Sequence, residues 1–324
     1  MARHPSTTAG IFARRFFARI ALLATTFACG PAFAADENAE PAPLASHWLL
    51  LDIARSGASL VAVGDHGHIL VSADQGNTWT QSPAPTRAML TGVAFPDPLH
   101  GWTVGHDGVI LATTDGGRSW RRQDDGKNSD AIYLDVYFQD AAHGFVVGAY
   151  GKFLATIDGG KTWTARQPVE GEVHFNRISA GPEGYLYLAG EGGTLLISTD
   201  GGAHWTKSEV PYEGSLFGAL PLDQGAVLVY GLRGHILRSD DHGANWTPLN
   251  SETKVLIMGG LRLKNGTVIL GGQGGNFFIS RDAGHTFAPW QPAGFGTSVA
   301  DLIEAEDGNI VTVGEAGAVR IKLP

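Results

Sequence analysis

STDGGAHW, residues 198–205, decides the fold, because five near-copies of it recur along the chain. They are SADQGNTW (72–79), TTDGGRSW (113–120), TIDGGKTW (156–163), SDDHGANW (239–246) and SRDAGHTF (280–287). Their third-position aspartates are Asp74, Asp115, Asp158, Asp200, Asp241 and Asp282, at steps of 41, 43, 42, 41 and 41 residues. A second signature, G-x-x-G, precedes each copy. It spans Gly64–Gly67, Gly105–Gly108, Gly148–Gly151, Gly190–Gly193, Gly231–Gly234 and Gly272–Gly275, and it occurs a seventh time at Gly314–Gly317. Two unrelated motifs sharing one period of about 42 residues exclude coincidence and indicate a repeat architecture.

The content of one unit selects the architecture. In residues 88–123, AMLTGVAF, GWTVG, VILAT and SWRRQ read as four short strands between turns rich in glycine and aspartate. No apolar period of 3.6 residues runs through the repeats, so helical solenoids are excluded. Glycine supports the reading: 45 residues, about twice the usual share, imply many tight turns. Four strands per unit and seven units predict an all-β fold, a seven-bladed β-propeller of four-stranded antiparallel blades over residues 48–324. The last unit, TSVADLIEAEDGNIVTVGEAGAVRIKLP, supplies only three strands. Residues 35–47, and 41–47 in particular, are expected to complete it with the missing outer strand.

The first 34 residues differ in kind. They hold Arg3, Arg14, Arg15 and Arg19, no acid, an apolar run IALLATTFACG, and a small-x-small site at Ala32-Phe33-Ala34. This is an export signal cleaved after Ala34, too short for a permanent membrane span. ARRFFAR resembles a twin-arginine signal, and both export routes stay open. The protein is therefore expected in the periplasm or outside the cell. Cys29 is the only cysteine and falls inside the signal, so packing must stabilise the mature chain. Cleavage leaves 19 basic against 32 acidic residues, a net charge of −13. That excludes nucleic acid as a partner, disfavours an anionic membrane surface, and suits a basic protein patch or a cation.

Each part of the eight-residue turn has a structural task. The aspartate accepts backbone N–H groups, the glycine permits positive φ, and the tryptophan or phenylalanine returns to the blade. Six equivalent aspartates argue against one active site. One carboxylate per turn is too few for calcium, which takes six to eight oxygens.

The turn is identified as an Asp-box, or bacterial neuraminidase repeat, found in sialidases, xyloglucan-cleaving enzymes and sortilin-type receptors. With seven blades and the pattern of VGHDGVILATTDGGRSW (104–120), residues 48–324 most resemble the photosystem II stability/assembly factor family. That resemblance implies a non-enzymatic, exported accessory protein that binds an envelope membrane protein or complex. Photosynthetic members are implied to bind their membrane subunit through arginines around the G-x-x-G turns. Here those turns carry Asp65-His66, His106-Asp107, Ala149-Tyr150, Glu191-Gly192, Leu232-Arg233, Gln273-Gly274 and Glu315-Ala316, and only Arg233 fits. The departure points to a heterotrophic branch serving another envelope complex.

Binding is expected on the face made by the G-x-x-G turns and the links between blades. Its acids are Asp124, Asp125, Asp130, Glu170, Glu172, Glu209 and Glu213, and its aromatics Tyr133, Tyr150, Phe175, Tyr212 and Phe217. An acidic rim with aromatics suits a basic protein partner; solvated loops are the plain alternative. LLDIA (50–54), YLDVY (133–137) and VADLI (299–303) align, and the innermost strands place Asp52, Asp135, Arg177 and Asp301 at corresponding levels near the axis, for a water network or cation in the channel or for bonds between blades. His66, His68, His106 and His235 lie on the G-x-x-G side, where adjacency would permit a metal and isolation would leave surface residues. No metal or cofactor is expected, and the chain is expected to be a monomer.

The alternative function is a carbohydrate-active hydrolase. A sialidase needs an arginine triad and a tyrosine nucleophile, and FNRI (175–178) only echoes the FRIP motif near such enzymes' start. A glycosidase needs two opposed carboxylates, and the acidic loops single out none.

Overall fold

The computed structural model describes residues 38–124 and 128–324. The expected export signal and Asp125 lie outside the described residues. Seven antiparallel sheets follow one another, six of four strands and the last of three. Their inner strands are Leu50–Ser56, Leu90–Ala94, Tyr133–Phe138, Phe175–Ala180, Leu216–Pro221, Ile257–Arg262 and Val299–Glu304, which define blades 1 to 7. Successive inner strands pack on one another, and the first packs on the last, closing the ring.

The core is divided by seam. One apolar cluster fills each of the seven contacts between neighbouring blades, from Val61, Ile69, Leu90 and Trp120 between blades 1 and 2 to Leu50, Leu60, Val311 and Val313 between blades 7 and 1. Each sheet is therefore buried on both faces, and second strands such as Gly101–Gly105, Gly144–Gly148 and Val227–Gly231 are buried throughout. The Asp-box aromatic of every turn enters the seam with the preceding blade: Trp79 joins blade 7's cluster, Trp163 blade 2's, and Phe287 blade 5's.

The turns behave alike in all six blades. In the first, Ser72 Oγ donates to Asp74 Oδ1 at 2.8 Å and accepts Gly76 N–H at 2.7 Å. Asp74 also accepts the Thr78 N–H at 2.8 Å and hydroxyl at 2.7 Å. His204 in blade 4 and Asn245 in blade 5 replace the threonine without changing the pattern. The backbone N–H and then the hydroxyl of Thr78 hold the Asp74 carboxyl down to about 2. Asp158 and Asp241 are also held at about 2, led by the Thr162 hydroxyl and the Asn245 amide respectively. The carboxylates are occupied in holding their own loops.

The turns also accept bonds from the preceding blade. Ser82 Oγ donates to Gly117 O, Gln123 Nε2 to Gly159 O, Arg166 to Gly202 O and Ser208 Oγ to Gly243 O. Arg238 does the same to Ala283 O, and Arg320 to Gln75 O across the closing seam.

Close approach explains the G-x-x-G glycines. A Cβ on Gly108, the second glycine of blade 2, would stand 2.1 Å from Asn128 O in the link to blade 3. At Gly317 of blade 7 it would stand 1.9 Å from Ser46 O. Residues 46–48 thus run where a link from blade 7 into blade 1 would run. The expected outer strand over 41–47 is not what forms. Ala45–His47 is a single 3-10 turn, and the seventh sheet has three strands among the described residues. The preceding residues turn away to blade 1, where Ala39 N donates to Ala84 O and Ala42 N to Gln81 Oε1. A strap against two blades replaces strand exchange.

Candidate functional site

Every inner strand carries a bulge near its start. Pairing steps from Leu50↔Gly64 to Asp52↔Val63 in blade 1, and the same skip occurs in the other six blades. The skipped residues are Leu51, Thr91, Leu134, Asn176, Phe217, Met258 and Ala300. They form a half-buried, mostly apolar ring around a cavity of about 180 Å³ at the axis. Asp135 and Arg177 line its floor.

At the next level inward stand Asp52, Gly92, Asp135, Arg177, Gly218, Gly259 and Asp301. The four charged residues expected near the axis are brought together. Arg177 of blade 4 crosses the axis and donates to Asp52 Oδ1 of blade 1 at 2.8 Å and to Asp301 Oδ1 of blade 7 at 3.0 Å. The carboxylates also bind neighbouring blades: Asp52 Oδ2 accepts Val93 N–H, and Asp135 Oδ2 accepts Ile178 N–H. Burial raises the Asp135 carboxyl to about 6, outweighing the pull of Arg177 and the backbone amides. Burial likewise holds Asp52 well above the usual range against the pull of Arg177.

The residues expected to form the acidic, aromatic rim divide. Asp130, Glu170, Glu172, Glu213 and Arg233 are exposed, and Tyr150 is 62% exposed with its ring edge-on to His174. The other six are placed differently. Tyr133 is 2% exposed and packs between blades 2 and 3, because it begins an inner strand and alternation turns it inward. Phe175 is buried for the same reason in blade 4. Asp124 is folded back onto Arg122 at 2.9 Å and accepts Ile110 N–H at 3.3 Å. Tyr212 is half-buried, stacked on His235 at 4.2 Å, with its hydroxyl on Leu232 O. Phe217 belongs to the axial ring. Glu209 lines an outer cleft between blades 4 and 5 with Asp200, His204 and Asp241 of the Asp-box turns.

Sequence reasoning missed Trp48. It is 42% exposed on the G-x-x-G side, edge-on to His66 at 4.9 Å and His68 at 5.3 Å. It also missed an outer cleft between blades 2 and 3 lined by Lys152, Lys161 and Arg166, three cations from separated sequence positions. His66 and His68 lie 6.1 Å apart, while His235 is held by Tyr212. Among the described residues no group of three or more histidines, cysteines and acids is placed to hold a metal. No helix among them is long and apolar enough to cross a membrane.

Comparison with known proteins places this architecture. A curated relative, the chloroplastic photosystem II stability/assembly factor HCF136 of Cyanidioschyzon merolae, is 39% identical over 79 residues. That match covers 24% of this chain and 17% of the relative, so the chain spans under a fifth of that protein's length. Among solved structures, YCF48 bound to a D1 peptide superposes with a TM-score of 0.71 at 19% identity, covering 86% of this chain and 93% of the other. YCF48 from Cyanidioschyzon merolae gives 0.68 at 17% identity, covering 87% and 97%. The WD40 β-propeller domain of Doa1 gives 0.67 at 13%, covering 88% and 95%, so these likenesses carry the fold alone. The family described as photosynthesis system II assembly factor YCF48 matches residues 77–132 and 125–322, most of the propeller, and the chain belongs to that family.

Proposed function

We propose that the chain is an exported, non-enzymatic propeller. It binds a segment of an envelope membrane protein on its G-x-x-G face and assists assembly of that protein's complex. The observation that carries this reading is the face itself. Exposed Trp48 and Tyr150 stand with exposed Asp130, Glu170, Glu172 and Glu213 on one side of a ring fixed at seven seams. Large aromatics supply contact area at low entropic cost, and the acids select a basic segment. Membership of an assembly-factor family supports a protein-binding role. The peptide held by a solved YCF48 supports an extended segment as the ligand. The acidic turns favour a partner other than the one a basic face would take.

The hydrolase alternative finds little support in the geometry. The axial carboxylates are engaged by Arg177 and backbone amides. The cavity above them, at about 180 Å³, is smaller than the roughly 300–1,000 Å³ usual for ligand pockets. Fluorogenic glycosides are expected to show no turnover; turnover abolished by Asp135→Asn would replace the binding reading with the enzymatic one.

A photo-crosslinking residue placed at Tyr150, or at Ile157 on the Asp-box side, tests the face in intact envelopes. Position 150 is expected to capture a membrane protein and position 157 is not. Glu172→Lys with Glu213→Lys should abolish the product. Equal capture from both faces would refute the proposal.

A further inference from the structure

The bulges of the seven inner strands build an apolar socket at the mouth of the axis. The skipped residue of each blade follows the one paired with the first glycine of G-x-x-G, as Leu51 follows Leu50 and Asn176 follows Phe175. The cavity of about 180 Å³ that these residues line therefore lies on the G-x-x-G side. Five of the seven, Leu51, Leu134, Phe217, Met258 and Ala300, carry apolar side chains, and all seven are half-buried. The two polar members are tied to the wall: Thr91 Oγ1 donates to Tyr133 O at 2.8 Å, and Asn176 Nδ2 to Leu216 O at 2.8 Å. At the floor, Arg177 is held by Asp52 and Asp301, and both Asp135 oxygens accept backbone N–H groups. An apolar cavity of about 150 Å³ takes up benzene, so this one has room for a single large side chain.

Charge around the socket is uneven. Four residues before each ring member lies a position in the link from the preceding blade. In blades 3, 4 and 5 it is Asp130, Glu172 and Glu213, all exposed. Four residues of chain span at most about 14 Å, so the backbone of these acids stands within that distance of the socket wall. The same position is His47, Arg87, Lys254 and Gly296 in blades 1, 2, 6 and 7. Arg87 is already paired with Glu40 at 2.9 Å and bonded to Asn38 O. The socket thus has an acidic side over blades 3 to 5 and a mildly basic side over the remaining blades.

Resting on the protein-binding reading above, we propose that this socket anchors the partner. An extended segment inserts one large apolar side chain, of phenylalanine, leucine or methionine size. A lysine or arginine within four residues of it reaches the acids of blades 3 to 5. Burial of the anchor supplies affinity, because apolar area leaves water whatever the neighbouring sequence. The acids supply direction, because a segment laid the other way would bring its cation towards Lys254 and His47. Met258 is unbranched and adaptable, so the wall can close on anchors of different shape. Anchors that dominate binding sit near the centre of an interface inside a polar rim, which is the relation of this socket to the link acids.

NMR of the methyl-labelled methionines provides a reporter in the socket wall at Met258, assigned by Met258→Leu. The probe is an acetylated, amidated peptide with phenylalanine followed by lysine two and arginine four residues on, together with its reversed sequence. One of the two is expected to shift the Met258 methyl saturably. Serine in place of the phenylalanine should weaken binding about 10- to 100-fold, and glutamate in place of both cations at least tenfold. Ala300→Trp, which fills the mouth, should abolish the shift and lower photo-capture from position 150 in intact envelopes at least tenfold. If Ala300→Trp does not fold, Leu134→Glu closes the mouth to apolar groups instead. Unchanged capture by the folded variant would overturn the socket and leave the binding face standing. Absence of capture from both proteins would overturn the face, and the peptide titration then decides the socket. A Met258 methyl unmoved by either peptide, or moved as much by the serine form, would overturn the proposal. So would a shift produced only by octyl glucoside or by raising the protein concentration alone, which would assign the socket to a lipid chain or to a second copy.

Discussion

Gly317 and Gly266 form a matched pair that measures what the N-terminal strap contributes. Both hold positive φ, 75° and 87° respectively. A Cβ on Gly266 would meet nothing within 4 Å, whereas one on Gly317 would stand 1.9 Å from Ser46 O and 2.7 Å from the His47 Cα. Replacing either by alanine costs the left-handed penalty of an L-residue, roughly 1–2 kcal/mol. Gly317→Ala must in addition push the strap away from the seam. Detaching it exposes Ala45, 2% exposed, and breaks the bonds from Ala39 and Ala42 to blade 1. At about 1 kcal/mol per hydrogen bond and about 0.8 kcal/mol for the methyl, the added loss is about 3 kcal/mol. Urea unfolding of both variants reads the difference directly. Limited proteolysis should cut residues 40–48 in Gly317→Ala and spare them in Gly266→Ala. Equal destabilisation of the two variants, within about 0.5 kcal/mol, would mean that the strap is not a closing element and would refute the reasoning.

Two further outcomes follow from the seams and the turns. Arg238→Met removes a buried side chain bonded to Ala283 O in the next blade, and the orphaned carbonyl should cost about 1–3 kcal/mol in denaturant titration. The Asp-box carboxyls held at about 2 stabilise the fold above their unfolded value near 4 and lose that contribution as pH falls towards 2. Circular dichroism should therefore show acid unfolding between pH 4 and 2, less steep in Asp158→Asn/Asp241→Asn.

The parts of the fold legible in sequence were those where one side chain satisfies a local demand. Asp74 and its five counterparts hold their own turns, so the motif survives at fixed spacing and the blade count follows. Asp52, Asp135, Arg177 and Asp301 were legible because inner strands align when the repeats are stacked. Long-range substitutes were not legible. The strap replaces a strand by packing Ala45 and Ser46 against residues some 270 positions away, which no local pattern records. Tyr133 was misplaced because a strand's first residue belongs to strand alternation, not to the link before it. Arg238 becomes conspicuous only once third strands are superposed, where blades 1 to 4 and 6 carry Val71, Ala112, Ala155, Ile197 and Ile279 and blade 7 alone repeats the arginine, as Arg320.

The cross-axis reach of Arg177 has a consequence for blade number. In a ring with an odd number of sectors, each sector faces the junction of two others, never a single opposite member. A forked guanidinium has two parallel N–H directions, and here each meets the carboxylate of a different sector. Gain or loss of one sector would make the count even and put one wall opposite the fork, stranding an acid without its counter-charge. The planar shape of one side chain thus favours odd parity for the whole ring.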